Sequence, residues 1–507
     1  MKKILFLFPA LLICFGCGTE PVSDAKKEPV LPTIYPDYLG VTIPVNMAPL
    51  DFCMADEKAL LIDAVIADRH GNTLHSQGEE SVDFDLGDWH RLLSQNRGDS
   101  LSVTVSAKYA EGWHTYQAFP VYISPDSIDY GICYRLIAPG HEVWSKMGIY
   151  ERDLSTFDER ALIENTQFEG CVNCHSFNRG NPADMSLHIR GKHGATLLKK
   201  ADGSITAYNT KTDQTPGLCV YPYWHPSGRY IAYSTNVTHQ LFHGAGRRRI
   251  EVFDDASDLQ VYDVEKSELI LDPLVRRDSV WETYPVFSPD GRSLYFCAAR
   301  AIHDAAEHLD SLRYNLCRIG FDPASGSFGD RVDTIVNAGA LHKSLSFPRP
   351  SYDGRFLCYT LSDYGQFSIW HHEADLWLLD LLTGQSRPMA EANSEETESF
   401  HNWSTNSRWL VFSSRRDDGL YTRPYFCHVD AKGRVGKAFM LPQRNPRQFY
   451  RQRFLSFNVP DFIIGATRFD SRQACRVIND EYRQDFGVRN TSRRLRTSPS
   501  SSTHHSP

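Results

Sequence analysis

The chain is predicted to be mainly β, with a C-terminal two-thirds built from a repeated strand–turn–strand unit. Three observations lead there. Aromatic residues make up 12 % of the 507 residues, while long helical periodicity is scarce. Short runs rich in Val, Ile, Tyr and Phe recur between turn residues, the pattern of strands. Four self-similar stretches follow one another at spacings of roughly 60 residues, which suits four-stranded blades with inserted loops.

In chain order, Lys2 and Lys3 precede an apolar run from Ile4 to Ile13. That run is too short to span a bilayer and suits an export signal. It ends at Gly16-Cys17, which resembles the lipobox of bacterial lipoproteins and marks Cys17 as the lipidated residue; Cys14 and Phe15 depart from that pattern. Removing residues 1–16 shifts the formal charge from −8 to −10, which argues against nucleic acid as a partner. Residues 17–36, rich in Pro, Lys and Glu, read as a linker. Runs at 41–45, 59–67, 101–107, 116–123 and 128–137, with turns such as Arg69-His70-Gly71-Asn72, predict a small β-sandwich over residues 37–138. Within it Cys53 and Cys133 are candidates for a bridge. Cys297, Cys317, Cys358 and Cys427 sit in apolar runs and are expected as buried thiols.

Residues 139–200 contain Cys171-Val172-Asn173-Cys174-His175, the Cys-x-x-Cys-His attachment pattern of a c-type haem. Two thiols at this spacing can each add to a porphyrin vinyl group, and the adjacent imidazole can take the iron. The chain's own Cys and His frequencies give about 0.01 chance occurrences. The competing readings are a buried Cys pair beside an unrelated His, half a zinc site, and a thioredoxin-type dithiol; the last two want a second ligand pair or a βαβ setting. The cofactor expected is one haem c, with Cys171 and Cys174 as attachment points and His175 as proximal ligand. His188 is the first choice for the sixth position, with His193, Met185, Met147 and His141 as rivals. Trp144, Met147, Tyr150, Phe168 and Phe177 are candidate walls. Thr156-Phe157-Asp158-Glu159 reads as a capping box opening a short helix through Leu162 and Ile163.

The four repeats begin at Tyr221-Pro222, Tyr284-Pro285, Phe347-Pro348 and Ser399-Phe400. Each continues through a turn at Ser227-Gly228, Asp290-Gly291, Asp353-Gly354 or Asn406-Ser407 into a second strand. These stretches resemble the blade motif of TolB-like β-propellers, which implies a propeller over residues 201–470, with six blades if weaker strand material at 194–209 and 437–469 closes the ring. Together with Ile43-Pro44-Val45 and Val459-Pro460-Asp461-Phe462, the chain resembles exported lipoproteins of Bacteroidota that join a haem-type motif to such a propeller. Residues 471–507 read as a tail, disordered from about 487. His371-His372-Glu373 is a weak metal candidate, and Arg415-Arg416 a candidate funnel lining. No Gly-x-Ser-x-Gly is present, and too little chain follows residue 470 for a hydrolase domain.

The function expected is therefore a lipid-anchored envelope protein, facing the periplasm or in the outer membrane. It would carry one haem for electron transfer or redox-linked binding of a protein partner, with no catalytic residues required. A haem-free propeller scaffold for protein or peptide binding is the alternative.

Overall fold

The computed structural model describes residues 20–140, 146–244, 250–480 and 482–491. The signal, Cys14, Cys17, His141 and Trp144 lie outside them. Six sheets, each with four antiparallel strands at its heart, form a six-bladed propeller. Blade 1 takes its three outer strands from Gly131–Ile137, Gly148–Asp153 and Glu159–Glu164, and its innermost strand from Ser456–Ile463. Blade 2 runs from Cys171–Asn178 to Ile205–Asn209, blade 3 from Cys219–Trp224 to Glu268–Leu271, and blade 4 from Val280–Phe287 to Ser327–Val336. Blade 5 runs from Ser344–Pro350 to Ser386–Pro388, and blade 6 from Glu398–Trp403 to Phe439–Met440.

One local device repeats in all six innermost strands. Cys174, Tyr221, Tyr284, Phe347, Phe400 and Val459 have φ between 50° and 53°, and the strand pairing shifts register at each. A non-glycine residue in this left-handed region costs about 1–2 kcal/mol, so the bulge persists only where packing offsets it. It rephases the strand. The bulged residue then lies towards the axis, while the residue three positions on (Phe177, Trp224, Phe287, Pro350, Trp403 or Phe462) is buried. Cys174-His175-Ser176-Phe177 and Val459-Pro460-Asp461-Phe462 are thus copies of the same repeat as Tyr221-Pro222-Tyr223-Trp224. The sequence reading counted only four copies because Cys-His and Val-Pro replace aromatic-Pro.

The hairpin turns are as expected. Gly228, Gly291 and Gly354 have φ of 75°, 72° and 71°, and Ser407 fills the same place at 62°. Each amide there donates to the carbonyl three residues back, at 2.8–2.9 Å.

Three boundaries differ from expectation. Residues 139–200 are not a separate segment; they supply strands to blades 1 and 2. Glu159–Glu164 is a strand rather than a helix, because Leu162 and Ile163 pack in the core between those blades. The N-terminal unit has a seven-stranded sheet and a separate two-stranded one, Ile34–Tyr35 with Cys53–Met54, rather than two packed sheets of a sandwich. A helix α1 (Leu86–Gln95) is capped by Asp85 and buries Trp89, Leu92 and Leu93. This unit shares a continuous apolar core with blade 6 and is pinned to it by Asp129, which accepts from the Thr405 amide and hydroxyl at 2.7 and 2.6 Å. Cys53 and Cys133 are both free and buried, in different sheets. Cys297, Cys317, Cys358 and Cys427 are buried as expected.

The described part of the C-terminal segment, expected as a tail over 471–507, packs on the propeller. Helix α2 (Ser471–Asn479) packs Ala474, Cys475 and Ile478 into the blade 1–blade 2 core. Gln484–Asp485 and Gly487–Asn490 then add parallel to the outer strands of blades 2 and 3, covering two exposed edges.

Closure of the ring depends on Ser456–Ile463. Phe462, 1 % exposed, should cost about 3–5 kcal/mol when changed to Ala. Urea denaturation followed by tryptophan fluorescence should show a lower midpoint, with a larger loss than for Phe454→Ala, which removes an exposed ring.

Candidate ligand funnel at the propeller axis

The bulged residues meet at the axis. Tyr221 and Tyr284 have ring centroids 4.6 Å apart, Tyr284 and Phe347 4.1 Å, and Phe347 and Phe400 4.9 Å. These four rings form an aromatic floor. Blades 1 and 2 place only Val459 and Cys174 in the same slots, so the floor is open on that side. A cavity of about 220 Å³ lies there, and Cys174, Tyr221, Phe347, Phe400 and Val459 line it. Blade 5 contributes Phe367, Ile369 and Trp370, and blade 3 contributes Ile250 and Val252.

The charged lining is cationic. Arg135 of blade 1, Arg190 of blade 2 and Arg415 of blade 6 all reach the cavity. The Arg415 guanidinium stacks 3.8 Å from the Trp370 ring centre and donates to the Leu420 carbonyl at 2.8 Å. Arg135 and Arg190 make no ion pair among the described residues, and Arg135 Nε is buried without a hydrogen-bond partner. Arg349 lines this cavity and also a second one that it shares with Asp461; burial depresses its guanidinium, and burial raises Asp461 to about 7 although Arg349 opposes the rise. Arg416, expected at the funnel, instead pairs with Glu398 at 2.9 Å.

The Cys171–His175 stretch lies in the innermost strand of blade 2, not on a turn. Cys171, Asn173, Cys174 and His175 all line the funnel. Cys171 and Cys174 are the two described cysteines that are not buried. Burial still pushes the Cys174 thiol up. Three strand steps separate their Cα atoms by roughly 9–10 Å, beyond the ~6.8 Å limit for a disulfide, and both thiols are free. His175 occupies the position that Pro222, Pro285, Pro348 and Pro460 take in four other blades and His401 in the fifth. Its Nε2 approaches the Cys133 carbonyl of blade 1 at 3.3 Å, and Nδ1 has no partner. Burial lowers its imidazole to about 4, against the Cys133 contact; burial likewise lowers His401 to about 3. Both rings are neutral wedges between blades.

The other expected ligands are not brought together. His188 pairs with Asn173, while its strand neighbours Leu187 and Ile189 enter the blade 1–blade 2 core. Alternation puts His188 on the opposite face, with Ser186, whose hydroxyl bonds Tyr233 of blade 3 at 2.8 Å. It therefore does not stand across a cavity from His175. Met147, Met185, Phe168 and Phe177 are core residues. Tyr150 bonds Glu164, and His193 stands with Lys192 and Glu169 at a separate surface depression. For a covalent porphyrin, the two thiols fit and the imidazole does not: it is committed between blades, and the cavity is smaller than the roughly 300–1,000 Å³ of pockets for drug-sized ligands. Arg135, Arg190, Phe367 and Trp370 were not legible as site residues, since their only signal is position relative to the two small slots.

His371 is a clamp residue. It sits between Glu251 and Glu373, each at 3.3 Å. Tyr364 donates to Glu251 at 2.6 Å and Gln366 to Asp254 at 2.5 Å. These bonds tie the long hairpin of blade 3, Tyr230–Phe242 with Ile250–Asp263, to blade 5. No group of three metal-ligating side chains is found among the described residues. Burial opposes charge on His371, but the bonds to Glu251 and Glu373 outweigh it and raise the imidazole. Burial would raise Glu251, yet His371 and Tyr364 hold it below its ordinary value.

Two outcomes follow from this geometry. His371, raised in the fold, stabilises the clamp below its unfolded value near 6.5, and this is lost as pH rises through the raised value; Glu251 contributes above about 4.5. Hydrogen exchange at Val252 and Phe253 should therefore show the hairpin loosening as pH rises above about 6.5, and His371→Ala should remove that pH dependence. In native protein, N-ethylmaleimide should label Cys171 and Cys174 before any other described cysteine, as read by peptide mass spectrometry.

No family model matches the chain, and no curated protein matches it. Among solved structures it is similar to an oligogalacturonate lyase in complex with manganese, at 13 % identity over 61 % of this chain and 74 % of that one, TM-score 0.35. It is also similar to the β-propeller domain of Myceliophteria thermophila Cps50 (Swd1), at 11 % identity over 68 % and 92 %, TM-score 0.35. Prolyl oligopeptidase B from Galerina marginata matches at 12 % identity over 61 % of this chain and 44 % of its own length, TM-score 0.36. At these identities and TM-scores nothing is carried over to this chain.

Proposed function

We propose that the chain is a binding scaffold of the cell envelope, whose propeller receives a partner's protruding group in the axial funnel. The observation that carries this is the pair Arg135 and Arg190, without ion pairs among the described residues, facing an aromatic floor. A propeller positions such a funnel rigidly, because six innermost strands converge on one axis. The motif ending at Gly16-Cys17 supports a lipid anchor. A panel of short peptides and small acids tests the binding role. A binder should raise the melting temperature and slow alkylation of Cys171 and Cys174 by about tenfold or more; binders that leave both thiols equally reactive would place the site elsewhere.

A covalent haem c is the second reading, favoured by one observation: both thiols of the Cys-x-x-Cys-His motif line the same cavity. When bound, such a group would supply one-electron redox chemistry. Cys171 and Cys174 would hold it, and His175 would have to leave the Cys133 carbonyl to serve it. Protein made with c-type maturation factors separates the readings. A pyridine haemochrome signal that disappears in Cys171→Ala with Cys174→Ala establishes the second; protein that matures without one stands with the first.

A further inference from the structure

We infer that the funnel takes a ligand with two halves, a carboxylate held by Arg135 and Arg190 and an apolar or aromatic body laid on the blade 5–blade 6 wall. The inference rests on the binding-scaffold reading and names its ligand class.

The cation side is built and unused. Arg135 Nε is buried with no acceptor, and a buried guanidinium donor left unbonded carries a desolvation cost that an incoming anion removes. Asn173 Oδ1 is also buried in this wall without a partner, so the wall can receive a donor as well as an acceptor. The acid that acts electrostatically on Arg190 is Asp254, but its oxygens already accept from Asn236 and Thr238 at 2.7 Å and from Gln366 at 2.5 Å. Asp461 lines the second cavity and answers Arg349. Asp254 thus offsets part of the Arg190 charge from a distance, and neither acid forms an ion pair with Arg135 or Arg190 among the described residues.

The blade 5–blade 6 wall has a different chemistry. Phe367 and Phe400 stand with ring centroids 6.0 Å apart, and Trp370 presents one face to Arg415. These rings can bury an aromatic body or an aliphatic chain. Cys174 and Val459 leave the gap between the two walls. A volume near 220 Å³ admits a small aryl or alkyl acid, or the last residue of a peptide chain, and not a large polar oligomer. Guanidinium groups recognise carboxylates through paired, charge-assisted hydrogen bonds.

The probes are 3-phenylpropionate and its uncharged amide, titrated calorimetrically into the full chain. The acid should bind about tenfold or more tightly than the amide, the discrimination expected of a charge-assisted pair. Arg135→Gln with Arg190→Gln should bring the two affinities together, with circular dichroism confirming the fold. Arg415→Gln, which loses stacking on Trp370 instead, should weaken both probes alike. Equal binding of acid and amide to the unaltered protein overturns the inference while leaving the funnel reading in place, provided alkylation of Cys171 and Cys174 slows. Binding with no protection of those thiols sinks the funnel reading itself. Failure of both probes to bind, or persistence of the acid's advantage in the double variant, also overturns the inference.

Discussion

The structure depends on a backbone constraint: each of six innermost strands holds one non-glycine residue in the left-handed region. That conformation is unfavourable in isolation and is sustained here by what it enables. It turns one side chain towards the axis and restores the next large one to the space between blades. Without the bulge, a continuous strand would alternate faces and could not supply both. The aromatic floor and the interblade core are therefore two products of one distortion, and the funnel exists where two blades keep the distortion but drop the ring.

Much of the propeller was legible because its repeats carry aromatic-Pro and Asp-Gly in fixed order. Gly228, Gly291 and Gly354 stand in their turns as their residue types require. The copies at Cys174 and Val459 were missed because repeat detection leans on the very residues that these two slots lack. The Cys-x-x-Cys-His pattern then drew its stretch into a separate segment, though His175 fills a slot that elsewhere takes Pro or His. Local signals misled in the same way at Thr156–Glu159: a sound capping pattern was overruled by the pairing of Glu159–Glu164 with its neighbour. The edge-covering strands at 484–490 have little apolar content to announce them, since they pair through backbone groups.

Charge in the propeller is sorted by depth. Ion pairs such as Arg318 with Asp333 and Arg355 with Asp380 tie strands together near the surface. Deeper in, Glu251, Asp254, His371 and Gln366 form a hydrogen-bonded bridge from blade 3 to blade 5. Buried groups of this kind are costly unless satisfied, and most here are. Arg135 Nε is one of several buried arginine Nε atoms without a partner, and it borders the funnel.

The division of blade 1 sets an order on how this protein can come into being. Its outer strands end at Glu164, but the strand that completes them begins at Ser456. A chain emerging from the N-terminal end must carry an open sheet edge through the synthesis of almost three hundred further residues, the time taken to make the other five blades. Until then Gly131–Ile137 offers unpaired backbone groups to any other strand. The early N-terminal sheet cannot shield it fully, since its own docking partner, blade 6, is made nearly as late. Assembly is thus finished from the last blade backwards to the first, and a chain stalled short of Ser456 would be a ring with its clasp missing.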